Sequence, residues 1–508
     1  MSPQLSHNDP YRRVAAKFAT ACKLDSIRML IRWDSQTNMP KGGAWARGEQ
    51  AGALAEVSSD LTATPEVDDL LGEAESFADA LEPSERANLV EMRRLWAHRA
   101  AVPKDLLVAR EKMIHELQVV WVAAKRSNDF ASFAKGFKPL LALQREIAAA
   151  KGEALGLAPY DAMIDAMDPG LSSEAIDPIF DDLATFLPSL LAEVRDHQAC
   201  WPDPIPFSGD FSIERQRTLS HRLAEIIGHT PEHSRIDEAP HPFSMPHSPG
   251  DVRFTTRYDE GNFRFGMMAT LHEAGHAMYE LNLPRTLAFS PVGYARGATA
   301  HESQSLMLEM MAGRSGEFLR FIAPVLREHL AGDEVSFSSR NVLNYIRRID
   351  DDFIRVEADE ISYPLHVILR YRLEREMMSG ALQVDDLPAA WNAMFKELFG
   401  RVPPDHARGV LQDIHWAAGY IGYFPNYALG ETLAAQLYEC ATAADPAILE
   451  GLSRGDFSPY FAWVRPRIHE QASLMPFADI VQAATGSELS AEPLKRHLRR
   501  RYLEEGLR

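Results

Sequence analysis

The sequence predicts a mostly α-helical protein, one large helical body occupying residues 1–508 as a single domain. Three observations carry that prediction. Long stretches repeat apolar residues at three- and four-residue steps, strand patterning is confined to one short region, and no linker rich in Gly, Ser or charge divides the chain. A length of 508 residues exceeds an ordinary mixed domain but suits a large helical body. No segment recurs at a period of roughly 20–50 residues, which argues against a regular solenoid.

Taken in order, "ERANLVEMRRLWAHRA" (85–100) sets Leu89, Met92 and Trp96 on one stripe. "DLLVAREKMIHELQVVWVAAK" (105–125) does the same with Leu106, Met113, Leu117, Val120 and Ala124. Both are packing faces and carry no chemistry. Two segments break the helical texture, "WPDPIPFSGDFS" (201–212) and "EAPHPFSMPHSPG" (238–250), and read as proline-rich surface connections. His241 and His247 of the second are assigned no role. Next, "VRFTTRY" and "FRFG" flank "DEGN" (259–262), which predicts a β-hairpin turning at those four residues. A helix follows at once and is expected to stop at Pro284, which cannot continue it. A further helical pattern, "ATAHESQSLMLEMMAG" (298–313), ends near Gly313.

Composition narrows the function classes. Hydrophobic content of 46% and charged content of 25% are globular values, not those of a disordered or fibrous chain. A net charge of −19, from 72 acidic and 53 basic residues, disfavours nucleic acid or an anionic membrane as the main partner. Cys22, Cys200 and Cys440 are odd in number and far apart, so neither a disulfide framework nor a cysteine metal cluster is expected. The N-terminal stretch lacks the apolar core of a signal peptide, and no apolar run would span a bilayer. Cytoplasmic localisation is the expectation.

The chemistry concentrates in "TLHEAGHAMYE" (270–280). On a helix, positions four apart share a face, so His272 and His276 can direct two imidazoles at one metal ion. Glu273 lies beside that ion, where its carboxylate can take a proton from water activated by the metal. The competing reading is a structural histidine pair, which needs no glutamate at that position. The apolar flanks (Met267, Met268, Leu271, Met278, Leu281) and the small Ala274 and Gly275 suit a buried helix packed closely on a neighbour. A catalytic zinc needs a third protein ligand. Glu302, Glu309 and His301, in the helical pattern downstream, are candidates that spacing alone does not separate. Glu302 is read as starting that helix.

"HEAGH", followed by "HESQS" with Glu302 26 residues beyond His276, resembles the carboxypeptidase Taq family of zinc metallocarboxypeptidases. The likeness extends in order through "WDSQTNMPKGGAWARGEQ" (33–50), "DVRFT" (251–255), "IRVEAD" (354–359), "GVLQDIHW" (409–416) and "GYFPNYALG" (422–430). The resemblance implies His272, His276 and Glu302 as metal ligands, Glu273 as the catalytic glutamate, and a homodimer. It also implies that arginines of the shared motifs help bind the substrate's C-terminus. Their planar fork suits a carboxylate. Arg355 is favoured, with Arg253 second. The competing role for Arg355 is an internal ion pair with Asp351, Asp352 or Asp359.

The remaining assignments are weaker. His415 is read either as a hydrogen-bond donor to substrate or as a core histidine satisfied by Asp413. Tyr423, ahead of Tyr420, is the better choice of phenol to stabilise an oxyanion, but a packed tyrosine is the favoured reading. His301 is placed behind the ligands, orienting them. An extended substrate peptide could also add to the edge of the hairpin strand.

The expected protein is therefore a mostly α, gluzincin-like body with a deep active-site cleft and a small β-hairpin or sheet beside the zinc helix. Its expected activity is broad zinc-dependent removal of C-terminal residues from peptides with a free C-terminus. Zn2+ is expected at one per chain, and Co2+ or Mn2+ suit the same donors. The alternatives are an endo-acting metallo-oligopeptidase of the same fold and, more remotely, a non-catalytic helical metal-binding protein.

Overall fold

The computed structural model describes residues 9–349 and 352–507 and is dominated by helices. Near the N-terminus, α1 (Pro10–Thr37) begins with Asp9 as its cap, the carboxylate accepting from the Tyr11 amide. Its inner face packs with α2 (Pro83–Ala100) in a small apolar cluster that includes Phe18, Leu89 and Met92. The second predicted stripe lies on α3 (Lys104–Ser127), where Leu117 and Ala124 are buried and Leu106, Met113 and Val120 pack against the main core. Both helical expectations hold to within two residues.

The strand expectation holds only in part. "VRFTT" does form a strand, β3 (Asp251–Thr256), but its partners lie upstream. β1 (Ser234–Glu238) pairs with β3 in parallel and β2 (Ser244–Ser248) pairs with it antiparallel, giving the order β1-β3-β2. The hairpin therefore turns at Pro249 and Gly250, not at 259–262, and the segment read as a proline-rich connection supplies its first strand. Pro246 is tolerated because β2 is an outer strand. "FRFG" is the first turn of a helix instead. Phe263 is drawn into an aromatic cluster with Phe207, Phe211, Phe337 and Tyr345, and that packing overrides the strand-like alternation. Since both sides of β3 are paired, it offers no free edge to a substrate peptide.

Behind the sheet runs α4 (Phe263–Leu281), capped at Asn282 just before Pro284 as expected. Most of its circumference is buried, including Leu271, Ala274, Gly275, Ala277 and Met278. It crosses α5 (Gly297–Leu306) at very short range. A Cβ on Gly275 would collide with Gln304 O and lie 2.7 Å from Ser305 Cα. α6 (Tyr363–Ser379) and α7 (Pro425–Ala444) complete the walls. On α7, Gly430 plays the same part: an added Cβ would sit 2.7 Å from both Glu302 Cβ and Cγ. Two glycines thus let three helices converge on one carboxylate.

Candidate active site

α4 carries His272, Glu273 and His276, while Glu302 projects from the middle of α5, six residues into that helix rather than at its start. His272 Nε2 is 3.8 Å from Glu302 Oε1, and His276 Nε2 is 3.5 Å from Glu302 Oε2. One donor atom from each of the three falls within 4.8 Å of the others. The opposite ring nitrogens are fixed from behind. His272 Nδ1–H donates to Glu309 Oε2 at 2.9 Å, and His276 Nδ1–H donates to the His301 carbonyl at 3.0 Å. Both Nε2 atoms are thereby turned towards the centre, where a neutral ring presents its lone pair. Glu309 stands on a π-helical stretch, Met307–Ala312, that continues α5 and re-aims its side chains. His301 stacks on His276 with ring centroids 4.5 Å apart and donates from Nε2 to Glu280.

The electrostatics are those of a site that wants a cation. Glu302 Oε1 and Glu273 Oε2 are buried with no hydrogen-bond partner, a costly condition for carboxylate oxygens. Burial opposes charge on His272, yet Glu302, Glu309 and Glu273 together raise its pKa to about 10. Burial raises Glu273 to about 7, Glu302 adding to the rise and His272 opposing it. Glu302 itself is held low despite burial, chiefly by His272 and His276. A divalent ion would satisfy the orphaned Glu302 oxygen and the negative potential together, and two imidazoles with one carboxylate are donors suited to it.

These groups open into a cavity of about 260 Å³ also lined by Arg355, Arg314, Tyr363 and Tyr427. Arg355 is 4% exposed, and its Nε and Nη2 donate to Asp413 Oδ1 at 3.2 and 3.0 Å. Its partner is thus neither Asp352 nor Asp359, which cap nearby backbone amides instead. Asp351 falls outside the described residues. Arg370 donates to the other Asp413 oxygen at 2.6 Å, so two guanidinium groups share one carboxylate and a net positive charge remains. Arg253 sits on β3, half-buried, in a bidentate pair with Asp251 at 2.9 and 2.8 Å, and it does not line this cavity.

His415 is packed between Phe424 and the tyrosines, and burial lowers its pKa to about 3. Its Nε2 is 3.0 Å from Tyr427 Oη, and its Nδ1 is 3.8 Å from Asp413. Tyr423 packs beside Tyr427, ring centroids 5.4 Å apart, and does not line the cavity. The phenols that do are Tyr427 and Tyr363, which the sequence reading did not single out. Tyr427 was within reach, because it stands inside "GYFPNYALG"; nothing in the sequence set Tyr363 apart. Arg314 and His241 were also missed as lining residues.

The family model described as carboxypeptidase Taq (M32) metallopeptidase matches residues 13–502. The chain belongs to that family. Thermostable carboxypeptidase 1 of Thermus thermophilus is 34% identical over 493 residues, covering 94% of this chain and 95% of its own. Carboxypeptidase 1 of Bacillus subtilis is 33% identical over 478 residues, covering 93% and 94%. Among solved structures, Trypanosoma cruzi metallocarboxypeptidase 1 superposes with a TM-score of 0.94 at 35% identity, covering 97% of this chain and 99% of that one. Membership in the carboxypeptidase Taq family makes the chain a metallocarboxypeptidase and implies a metal cofactor, for which His272, His276 and Glu302 are the fitting donor set. Among the described residues, no helix is long and apolar enough to cross a membrane.

Proposed function

We propose that this protein is a zinc-dependent carboxypeptidase that removes residues one at a time from the free C-terminus of peptides, with broad side-chain acceptance. One observation carries the reading: Glu273, with an unpartnered oxygen, borders a three-donor cluster in the same cavity that Arg355 lines. A divalent ion held by His272, His276 and Glu302 supplies Lewis acidity, which acidifies water and polarises a carbonyl. Glu273 accepts the proton of the attacking water and returns it to the leaving amine. Burial favours the protonated form of this carboxyl, which suits it to take up a proton during the reaction. Arg355 attracts the terminal carboxylate and so selects which bond lies over the catalytic groups. Tyr427 lines the cavity as a hydrogen-bonding group, with His415 against its hydroxyl and Tyr423 packed beside its ring. No thiol takes part.

Zinc is the reading for the ion, Co2+ and Mn2+ being accepted by the same donors. A homodimer in the cytoplasm, built from a single catalytic domain, completes the proposal. Negative net charge supports peptides rather than nucleic acid as partners.

A second reading, an endo-acting oligopeptidase, draws on the fact that Asp413 already occupies two donors of Arg355. The test is a time course on an unmodified peptide, read by mass spectrometry, with metal-stripped and zinc-reloaded protein. A ladder shortened from the C-terminus that appears only on reloading supports the proposal. Internal fragments support the second reading, and no zinc-dependent product rejects both.

A further inference from the structure

A second cavity, of about 350 Å³, lies behind the metal helix between α1, α2 and the loop that follows α4. Its body is apolar, walled by Phe18, Met29, Leu95, Leu283 and Phe289. Phe289 is held at φ +57°, a conformation rare for an aromatic residue and one that clusters where ligands bind. The polar part of the wall is balanced in sign, with Asp25 and Glu280 against Arg28 and Arg99. Asp25 is within 3.1 Å of Arg28 and 3.8 Å of Arg99, yet Arg28 Nε is buried without a hydrogen-bond partner among the described residues.

We propose that this cavity binds a free amino acid with an apolar side chain, and that occupancy is transmitted to the metal site through Glu280 and His301. The ligand class follows from the wall: an apolar compartment for the side chain, the guanidinium groups of Arg28 and Arg99 for a carboxylate, and Glu280 for an ammonium group. A zwitterion adds no net charge to a rim that has none. The transmission follows from the hydrogen bonds. Glu280 Oε1 accepts from His301 Nε2 at 2.8 Å, which leaves His301 Nδ1 as an acceptor 2.6 Å from Nδ1 of the ligand His276. An ammonium group drawing on Glu280 competes with His301 for that carboxylate and so shifts the group stacked on His276. The residue released by the proposed reaction belongs to this ligand class, and in that respect the inference rests on the function proposed above.

The test is calorimetric titration of L-phenylalanine into the zinc-loaded full chain, wild type against Ala288→Trp, whose indole fills the cavity, and Arg355→Met. Met29→Trp serves as a second filling variant if Ala288→Trp melts early. The expected result is a saturable site retained in Arg355→Met, weakened at least tenfold in a filling variant, and not competed by N-acetylphenylalanine amide, which lacks both charges. Phenylalanine should also change kcat on a peptide in a way that excess substrate does not relieve, and only where the cavity is open. Loss of the site in Arg355→Met with no effect of filling would place the amino acid in the active-site cavity and overturn the proposal, as would equal binding of the neutral analogue. Binding without any change in kcat would overturn the transmission. The titration needs no hydrolysis, so its failure is distinct from failure of the peptidase reading.

Discussion

His272 Nδ1 and Glu309 Oε2 are 2.9 Å apart, so a carboxylate on the π-helical end of α5 fixes the ring of a proposed metal ligand on α4. Removing that acceptor frees the imidazole to rotate. Glu309→Ala is expected to weaken metal binding by roughly 10- to 100-fold without loss of helical content. Chelator competition with zinc checks this; unchanged affinity would show that packing alone orients His272.

The approach of α4 to α5 depends on a missing side chain. With Gln304 O and Ser305 Cα against Gly275, a single methyl group forces the helices apart. Gly275→Ala is expected to cost about 1–3 kcal/mol and to weaken zinc binding as well, because Glu302 rides on the displaced helix. Thermal melting of the metal-free protein, followed by zinc titration, reads the two effects separately.

Glu273 takes no ligand position in the proposal, so changing it should spare the metal. Glu273→Gln is expected to keep zinc affinity within a few fold while lowering kcat by roughly 10²–10⁴-fold. A parallel fall in zinc affinity would instead make Glu273 part of the donor set.

Acid stability should report on a buried network behind the cavity wall, where Arg501 also donates to the Met310 carbonyl. Glu360 accepts from Arg501, from Tyr502 Oη at 2.7 Å and lies 3.3 Å from His497 Nε2. Burial opposes its charge, but Arg501 and His497 lower its pKa to about 2. A depressed folded-state value means the contribution is complete above the ordinary glutamate range, near pH 4.3, and is lost as pH falls towards 2. Glu360→Gln leaves Arg501 uncompensated and should cost about 3–5 kcal/mol near neutral pH. The gap in melting temperature from wild type should close between pH 4 and pH 2; a constant gap would exclude the ionised carboxylate as its source.

How much of this was legible in the sequence depended on how local each feature is. The pair His272 and His276 is set by helical geometry alone, so the motif announced itself. Glu302 required the family resemblance, because spacing treats Glu309 and His301 as equals and only the crossing of α4 with α5 separates them. "FRFG" misled because four alternating residues fit a strand and a helical turn equally, and Phe263 is committed by aromatic partners distant in sequence, such as Phe337. β2 was hidden by the proline within it and those flanking it, which an outer strand tolerates. Asp413 as the partner of Arg355, and Tyr363 as a wall of the cavity, are products of long-range folding with no local signature.

The most direct test of the central claim compares two peptides of one sequence, one with a free C-terminus and one amidated, using zinc-loaded wild type and Arg355→Met. The account predicts stepwise C-terminal release from the free peptide, hydrolysis of the amidated one slower by at least about 10²-fold, and loss of most of that difference in Arg355→Met. Equal hydrolysis of both peptides by the wild-type protein, with internal cleavage, would contradict it.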